Sequence, residues 1–206
     1  MHPFYLIRHG ETTVARKGII AGASDVPLSR FGLEQMQATA DWLADKPLSM
    51  VYSSPLRRAA EPAAELAAAR KLPHSEVMDF CEIDFGDWEG KTWAELSAAD
   101  PESVTRAQAG SPFFTFPNGE GVDYFRRRVQ TAFAQVVRIS TGPAAIYFHG
   151  GPIRMILAGV SGLKLPDAQK LEIAPGSISI LTPNKSGFDA TEINIISHLP
   201  PMPPTA

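Results

Sequence analysis

The sequence predicts an α/β fold, a three-layer sandwich whose largely parallel central sheet carries helices on both faces. The first observation behind this prediction is that short apolar runs alternate with longer segments of helical periodicity, as in 4–8 followed by 31–43. The second is that the apolar runs end in glycine, serine or proline, the residues at which a strand passes into a helix. Repeated strand-then-helix order favours parallel pairing, because each crossover returns the chain to the same edge of the sheet.

Local signals place the individual elements in chain order. Ser29 offers an N-cap to the first helix. Ser53-Ser54-Pro55 opens the second helix, which Pro62 is expected to kink or to begin afresh. Glycines cap the helix that follows the fourth strand. The predicted strands are 4–8, 50–52, 75–78, 144–148, 177–181 and 191–196, and the predicted helices are 31–43, about 55–70, 93–99, 125–137 and 153–160.

One stretch departs from this alternation. Residues 79–122 are rich in Gly, Pro, Trp and Phe, and within them only 93–99 is predicted to be helical. A long irregular insertion in a compact domain is usually functional, so this one is expected to cover a substrate. Since no internal repeat or linker is found, residues 1–206 are expected to form a single domain with a frayed, proline-rich tail at 200–206.

Composition narrows the classes of function. A net charge of −3 leaves no dominant basic face, which argues against nucleic-acid and membrane-surface binding. The single cysteine, Cys81, excludes an internal disulfide and indicates a reducing compartment. The sequence shows no apolar leader and no apolar run of membrane-spanning length, so a cytoplasmic protein is expected.

Residues suited to phosphoryl chemistry stand at the ends of three predicted strands. They are Arg8, His9, Arg58, His149 and Gly150. Because ligands bind beyond the carboxyl ends of parallel strands, these residues are expected to converge. A neutral imidazole can attack phosphorus, and arginines grip phosphoryl oxygens bidentately. The departing oxygen needs a proton donor, for which Glu82 is the candidate by its position.

Five blocks of sequence, taken together, carry a family resemblance. They are Leu6-Ile7-Arg8-His9-Gly10-Glu11-Thr12, Asp25-Val26-Pro27-Leu28-Ser29 with Gly32, Ser53-Ser54-Pro55-Leu56-Arg57-Arg58-Ala59, the run from Glu82 to Gly90, and His149-Gly150-Gly151-Pro152-Ile153-Arg154. In this order, spanning nearly the whole chain, they resemble the motifs of the histidine phosphatase superfamily. The resemblance is to the branch that contains cofactor-dependent phosphoglycerate mutases and small-molecule phosphatases.

The resemblance implies a phosphoglycerate mutase-like fold and a role for each matching residue. His9 would be the nucleophile that is phosphorylated, and Glu82 would act first as general acid and then as general base. His149 would help to catalyse transfer by stabilising charge on the phosphoryl oxygens. No metal and no cofactor are implied. The implied phosphate-binding residues are Arg8, Arg58, His149 and Gly150.

The chain departs from the family pattern in two places. Ala15 stands where many members carry asparagine, so one hydrogen bond to phosphate is expected to be missing or supplied elsewhere. Pro62 stands where threonine is common, which is expected to alter the helix path more than the chemistry. Arg154 is left out of the predicted site, because such an arginine more often packs or pairs, and 126–128 are predicted to lie on a solvated helix face.

The insertion is expected to decide the substrate. Trp88 and Glu120 are the candidate substrate-binding residues, while most of the other aromatic side chains are expected to pack against the sheet. Asn118-Gly119-Glu120-Gly121, the run 85–89 and the His-Gly-Gly-x-Ile-Arg pattern resemble blocks of the α-ribazole phosphatases within the superfamily. Other phosphatases of the superfamily share each of these features.

The leading interpretation is a metal-independent phosphomonoester hydrolase that acts through a phosphohistidine on His9, with α-ribazole 5′-phosphate as a candidate substrate. A cofactor-dependent phosphoglycerate mutase is less favoured. A mutase needs a closed, strongly basic pocket, whereas the insertion holds only Lys91 and Arg106 as cations before the arginine run. A non-catalytic phosphate-binding relative is least favoured, since no reactive residue is lost. The expected partner is a small phosphomonoester; the oligomeric state is left open, with a homodimer as one alternative.

Overall fold

A computed structural model describes residues 1–203, which build a six-stranded sheet. The strands are β1 (Phe4–Arg8), β2 (Met50–Ser53), β3 (His74–Glu76), β4 (Ala144–Phe148), β5 (Ile178–Asn184) and β6 (Gly187–Ile195). Their order is β3-β2-β4-β1-β5-β6, and the first four are mutually parallel. The α/β prediction with a largely parallel sheet is confirmed. β5 runs antiparallel to both its neighbours, and the short turn after Asn184 can join only antiparallel strands.

Helices cover both faces of the sheet. They are α1 (Arg30–Trp42), α2 (Arg57–Arg70), α3 (Trp93–Ala99), α4 (Pro101–Gln108), α5 (Val122–Ile139), α6 (Gly150–Ser161) and α7 (Leu165–Gln169). Alternate side chains of β1 enter separate cores: Phe4 and Leu6 pack with α5 and α6 on one face, and Tyr5 and Ile7 pack with α1 and α2 on the other. This period of two produces the predicted three layers.

Several boundaries differ from the prediction. α2 begins at Arg57 rather than at the Ser-Ser-Pro segment, and the hydroxyl of Ser54 accepts a hydrogen bond from the N–H of Leu56 before the helix starts. Pro62 lies inside this continuous helix and does not begin a new one. α6 begins at Gly150, earlier than predicted, while β3 is shorter and β5 and β6 are longer. The expectation of a fresh helix at Pro62 is therefore wrong. The helix continues through the proline, which lacks a backbone N–H, because buried residues on both sides of it, such as Ala59 and Ala63, pack into the core.

Two short helices were not predicted. α4 lies within the stretch expected to be irregular, and its signal is Asp100-Pro101, in which the Asp100 carboxylate accepts from the N–H of Ser103 and the proline occupies the first turn. α7 begins at Leu165 with the same proline signal at Pro166. Both helices are too short to show hydrophobic periodicity. Their sequence signal is therefore the proline in the first turn, together with the capping Asp100 in the case of α4.

The strand register delivers the reactive residues to one edge. Arg8 of β1 pairs with Phe148 of β4, so His9 and His149 leave the sheet side by side. Ser53 of β2 pairs with Tyr147, which brings the start of the α2 segment to the same edge. No helix within residues 1–203 is long and apolar enough to cross a membrane. The predicted tail at 200–206 extends to residues 204–206, which lie outside the described residues.

Candidate active site

His9 follows β1 and has one ring nitrogen bound and one available. Its Nδ1 lies 2.7 Å from the carbonyl oxygen of Gly10, and a carbonyl can only accept, so Nδ1 carries the proton. The N–H of His9 donates to the Phe148 carbonyl, which ties the residue to the neighbouring strand. The unprotonated Nε2 is then the ring atom with a lone pair, and only 8% of the residue is exposed.

Three arginines surround this imidazole. Arg8 donates from Nη1 to the carbonyl of Ile173, and within residues 1–203 its buried Nε has no hydrogen-bond partner. Arg58 is almost fully buried, and Arg154 donates from Nε to the carbonyl of Leu171. Burial lowers the pKa of Arg8 to about 10, against the opposing effect of Glu82. All three stay cationic at neutral pH, so they form an anion-binding arrangement with a vacant donor on Arg8.

Arg58 and His149 form one rigid network. Arg58 Nε donates to His149 Nδ1 over 3.2 Å, its Nη1 donates to the carbonyl of Ser24, and its Nη2 donates to the carbonyls of Ala21 and Gly22. Within residues 1–203 this leaves one N–H of Nη1 for a ligand. His149 Nε2 lies 2.9 Å from Ser54 Oγ, so this nitrogen carries the proton that Nδ1 lacks. The imidazole of His149 is fully buried, with its ring centroid 5.1 Å from that of His9. Direct contact of His149 with a phosphoryl oxygen requires its N–H to turn away from Ser54.

The carboxylate of Glu82 is held at the N-terminus of α6. Its Oε2 accepts from the N–H of Gly151 and its Oε1 from the N–H of Ile83, each over 3.0 Å. A side chain at position 151 would overlap Glu82 Oε1 and stand 3.0 Å from Phe125 Cζ, so only glycine allows this approach. Gly150 lies beside the cations, since a Cβ there would lie 3.0 Å from Arg154 Nη1 and 3.5 Å from Arg8 Nε.

Two adjoining cavities meet at Glu82. The His9 cavity, of about 410 Å³, is lined by residues that include Arg8, His9, Arg58, Glu82, Arg154 and Ala15. The aromatic cavity, of about 540 Å³, is lined by residues that include Ile83, Phe85, Trp93, Phe116, Phe125 and Lys170. The two share Glu82, Phe85, Trp93 and Arg154. A cationic chamber thus opens past a carboxylate into a larger, mostly apolar one.

Comparison with known proteins decides the family. A family model described as the histidine phosphatase superfamily (branch 1) matches residues 4–196. The chain belongs to the histidine phosphatase superfamily. It is 30% identical over 161 residues to the adenosylcobalamin/α-ribazole phosphatase of Escherichia coli, covering 77% of this chain and 79% of that protein. The structure of YhfR from Bacillus stearothermophilus superposes with a TM-score of 0.89 at 25% identity, covering 97% of this chain and 100% of that one.

A longer relative shows that this histidine phosphatase domain also occurs within larger proteins. The chain is 32% identical over 196 residues to the bifunctional protein Rv2228c of Mycobacterium tuberculosis, a match that covers 89% of this chain. It spans only 54% of that protein's length. The resemblance drawn from the five sequence blocks is confirmed at the level of the superfamily.

The structure brings most of the predicted site residues of this superfamily member together. Arg8, His9, Arg58 and Glu82 line the His9 cavity. His149 and Gly150 line neither cavity, but they adjoin these residues: the His149 ring lies against His9 and Arg58, and Gly150 lies against Arg8. Trp88 does not join them: it is 5% exposed and packs against Trp93, Phe114 and Phe116. It lies behind the cavity wall because the aromatic side chains of the insertion form their own small core, which leaves Trp93 as the tryptophan that lines both cavities.

Two arginines were misjudged from the sequence. Arg154 was left out of the site, yet it lines both cavities beside Glu82. Its place in the first turns of α6, just after His149-Gly150, was a usable signal, because that helix starts at the reactive edge. Arg128 was expected on a solvated face, but its side chain is only 13% exposed and pairs with Glu120. Glu120 is therefore engaged within the protein and does not line the His9 cavity.

Burial keeps the imidazoles of His9 and His149 neutral. Desolvation, followed by the nearby Arg58 and Arg8, lowers the pKa of His9 well below its usual value of 6.5. Desolvation and the neighbouring Arg58, His9 and Arg8 lower the pKa of His149 in the same way. Below neutral pH the lone pair on His9 Nε2 therefore persists where a free imidazole would already be protonated.

These depressed values predict how stability depends on pH. Above 6.5, the ordinary imidazole value, both states are neutral at His9, so its contribution to the free energy of unfolding is fully present. As the pH falls below 6.5, His9 becomes protonated in the unfolded chain but stays neutral in the folded chain, whose His9 pKa is lower. The free energy of unfolding therefore decreases. We expect His9→Asn to flatten this loss by as much as about 1.4 kcal/mol per pH unit. Urea unfolding from pH 8 to pH 5.5 measures it, and equal slopes for variant and wild type would contradict it.

Proposed function

We propose that this protein is a metal-independent phosphomonoester hydrolase that forms a phosphohistidine on His9. The observation that carries the proposal is the pair of adjoining cavities with Glu82 between them. One has a cationic floor and a free imidazole lone pair, and the other is lined mostly by aromatic and aliphatic side chains. The arginines supply the positive charge that a phosphoryl dianion requires. The phosphatase names of its relatives support the same reading.

The first step transfers the phosphoryl group to the protein. Bound phosphate accepts hydrogen bonds from the vacant Nε of Arg8 and from the remaining donors of Arg58 and Arg154, while Gly150 leaves room for its oxygens. His9 Nε2 attacks phosphorus in line with the departing oxygen, so a P–N bond forms as the P–O bond breaks. Protonated Glu82 gives its proton to that oxygen, and the alcohol leaves through the aromatic cavity.

The second step returns His9 to its starting state. Water occupies the position of the departed alcohol, and Glu82, now a carboxylate, takes a proton from it. The water oxygen attacks phosphorus, the P–N bond breaks, and inorganic phosphate is released. His149 contributes by orienting the guanidinium of Arg58. Its Nδ1 accepts a hydrogen bond from Arg58 Nε in both steps.

The substrate we propose is an ester with a bulky, largely apolar alcohol, of which α-ribazole 5′-phosphate is the leading candidate. The walls next to Glu82 are aromatic and aliphatic, and they suit a flat ring better than a second acid group. Two cations line this cavity: Arg154, which also lines the His9 cavity, and Lys170, which pairs with Asp167 over 3.1 Å. A phosphoglycerate mutase, which must hold a small and highly anionic substrate, is less well supported. Cys81, the only cysteine, supports a cytoplasmic location.

A panel of phosphomonoesters tests the proposal. We expect kcat/KM for α-ribazole 5′-phosphate and for naphthyl phosphate to exceed that for 3-phosphoglycerate by about 10²-fold or more, since the latter places a carboxylate against mostly apolar walls. Phosphate release is the measurement, and phosphoryl transfer to 3-phosphoglycerate in the presence of the bisphosphate is measured in parallel. Preferential transfer would establish the mutase alternative, and absence of turnover on every ester would establish the non-catalytic one.

A further inference from the structure

Arg128 occupies a position that the proposed chemistry does not yet explain. We propose that Arg128, held by Glu120, is a positioning residue that fixes the backbone on either side of Glu82 and so aims its carboxyl group at the departing oxygen. This inference rests on the proposed function, because it assumes that Glu82 is the general acid. Neither Arg128 nor Glu120 lines the His9 cavity.

The guanidinium of Arg128 directs three of its five N–H donors at the main chain of residues 79–82. Nη1 donates to the carbonyl of Asp79 over 2.7 Å and to that of Cys81 over 3.0 Å, and Nη2 donates to the carbonyl of Glu82 itself over 3.1 Å. Three carbonyls within four consecutive residues therefore converge on one planar cation. Such a fork fixes orientation as well as distance, which a single hydrogen bond does not.

Glu120 fixes the cation in turn. Its Oε1 accepts from Arg128 Nε over 2.6 Å and its Oε2 accepts from Nη2 over 2.9 Å, a bidentate pair whose side chains are 13% and 10% exposed. The same Oε2 accepts from the N–H of Asp84, and the Glu120 N–H donates to the Asp84 carbonyl over 2.8 Å. The face of Phe125 lies 4.8 Å from Arg128 Cζ. Glu120 has no free oxygen facing a substrate, and its contacts bracket the segment from the far side of Glu82.

The acid is therefore held from two directions. Gly151 N–H fixes one carboxylate oxygen from α6, and the Arg128–Glu120 pair fixes the main chain from α5. Loss of the second support leaves the phosphate-binding arginines in place but lets the carboxyl group drift. A mispositioned acid slows the departure of a poor leaving group, which needs the proton, and spares a good leaving group, which does not.

Two esters of similar shape separate these effects. Phenyl phosphate has a poor leaving group and 2,4-dinitrophenyl phosphate a good one, and kcat/KM reports only steps up to the first irreversible one. We expect Arg128→Met and Glu120→Gln to lower kcat/KM for phenyl phosphate by about 10–10²-fold and to change the value for the dinitrophenyl ester by less than about threefold. Glu82→Gln is expected to give the largest difference between the losses of kcat/KM on the two esters. Adding Arg128→Met to it is expected to leave that difference unchanged.

Arg127→Ala is the matched control, because the side chain of the neighbouring Arg127 is 66% exposed and, among residues 1–203, forms an ion pair only with Asp123. It is expected to behave as wild type on both esters. Thermal unfolding monitors each variant, and Glu120→Gln, which keeps the side-chain shape, carries the test if Arg128→Met does not fold. An equal loss on both esters in Glu120→Gln, with Glu82→Gln selective, would overturn the positioning role and leave the proposed function intact. An unselective Glu82→Gln would instead refute the acid role and the inference with it.

Discussion

His9→Ala is expected to lower phosphomonoester turnover by about 10⁴-fold or more, because it removes the imidazole lone pair that is available for attack in the His9 cavity. Rapid quench of the wild-type protein with an alkaline denaturant during turnover should trap a phosphoryl group on His9 that survives base and is lost in acid. Peptide mass spectrometry locates this group. In His9→Ala the same experiment is expected to yield no labelled peptide.

His2→Ala provides the control for this substitution. His2 lies before β1, outside both cavities, and its loss is expected to leave the label and the rate unchanged. Retention of more than about a tenth of the wild-type rate in His9→Ala would show that water attacks the ester directly. In that case the arginines would still bind phosphate, but the phosphohistidine step would be wrong.

Arg58→Ala is expected to reduce both stability and activity. It deprives the carbonyls of Ala21, Gly22 and Ser24 and the Nδ1 of His149 of their donor, in a place that is almost fully buried. Buried acceptors left without partners cost far more than exposed ones, so we expect a loss of about 3 kcal/mol in the free energy of unfolding. Activity is expected to fall by about 10²–10³-fold, because the anion site loses a cation and the orientation of His149.

Arg57→Ala is the matched control for this prediction. Arg57 is the preceding residue of the same helix, but its side chain is 48% exposed and pairs with Glu61 on the surface. Its replacement is expected to change stability by less than about 0.5 kcal/mol. Urea unfolding and steady-state kinetics on the two variants make the comparison. Equal stability losses at the two positions would mean that the Arg58 network contributes nothing specific.

The sheet could be predicted from the sequence because its signals are local. The buried runs that became β1 and β4 each end in a histidine and a glycine, and a parallel sheet places such ends at one edge. β5 and β6 were recognised as strands, but their antiparallel pairing depends on the turn length that joins them, and the predicted bounds left that turn undefined. The helices of the insertion were too short for periodicity to show.

The site was predictable as far as its residues belong to the strand ends. Arg154 has a local signal, its place in the first turns of α6 just after His149-Gly150. Arg128 has none, because it is recognised only by partners far away in sequence, the carbonyls around Glu82. The sequence cannot distinguish three consecutive arginines, Arg126, Arg127 and Arg128. In the structure their side chains are 33%, 66% and 13% exposed. Helix phase separates them, and phase depends on where α5 begins.

The two cavities share four residues, and the rest of their walls come from different parts of the chain. The His9 cavity is built largely at the strand edge, whereas the aromatic cavity draws its walls from the insertion, α6 and α7. Substitutions at Ala107, Phe116 or Lys170 can therefore change which ester the protein accepts, and they leave every side chain of the His9 cavity in place. Evolution of a new substrate preference would act on the part of the aromatic cavity that the His9 cavity does not share. Directed evolution of the protein should begin with those residues.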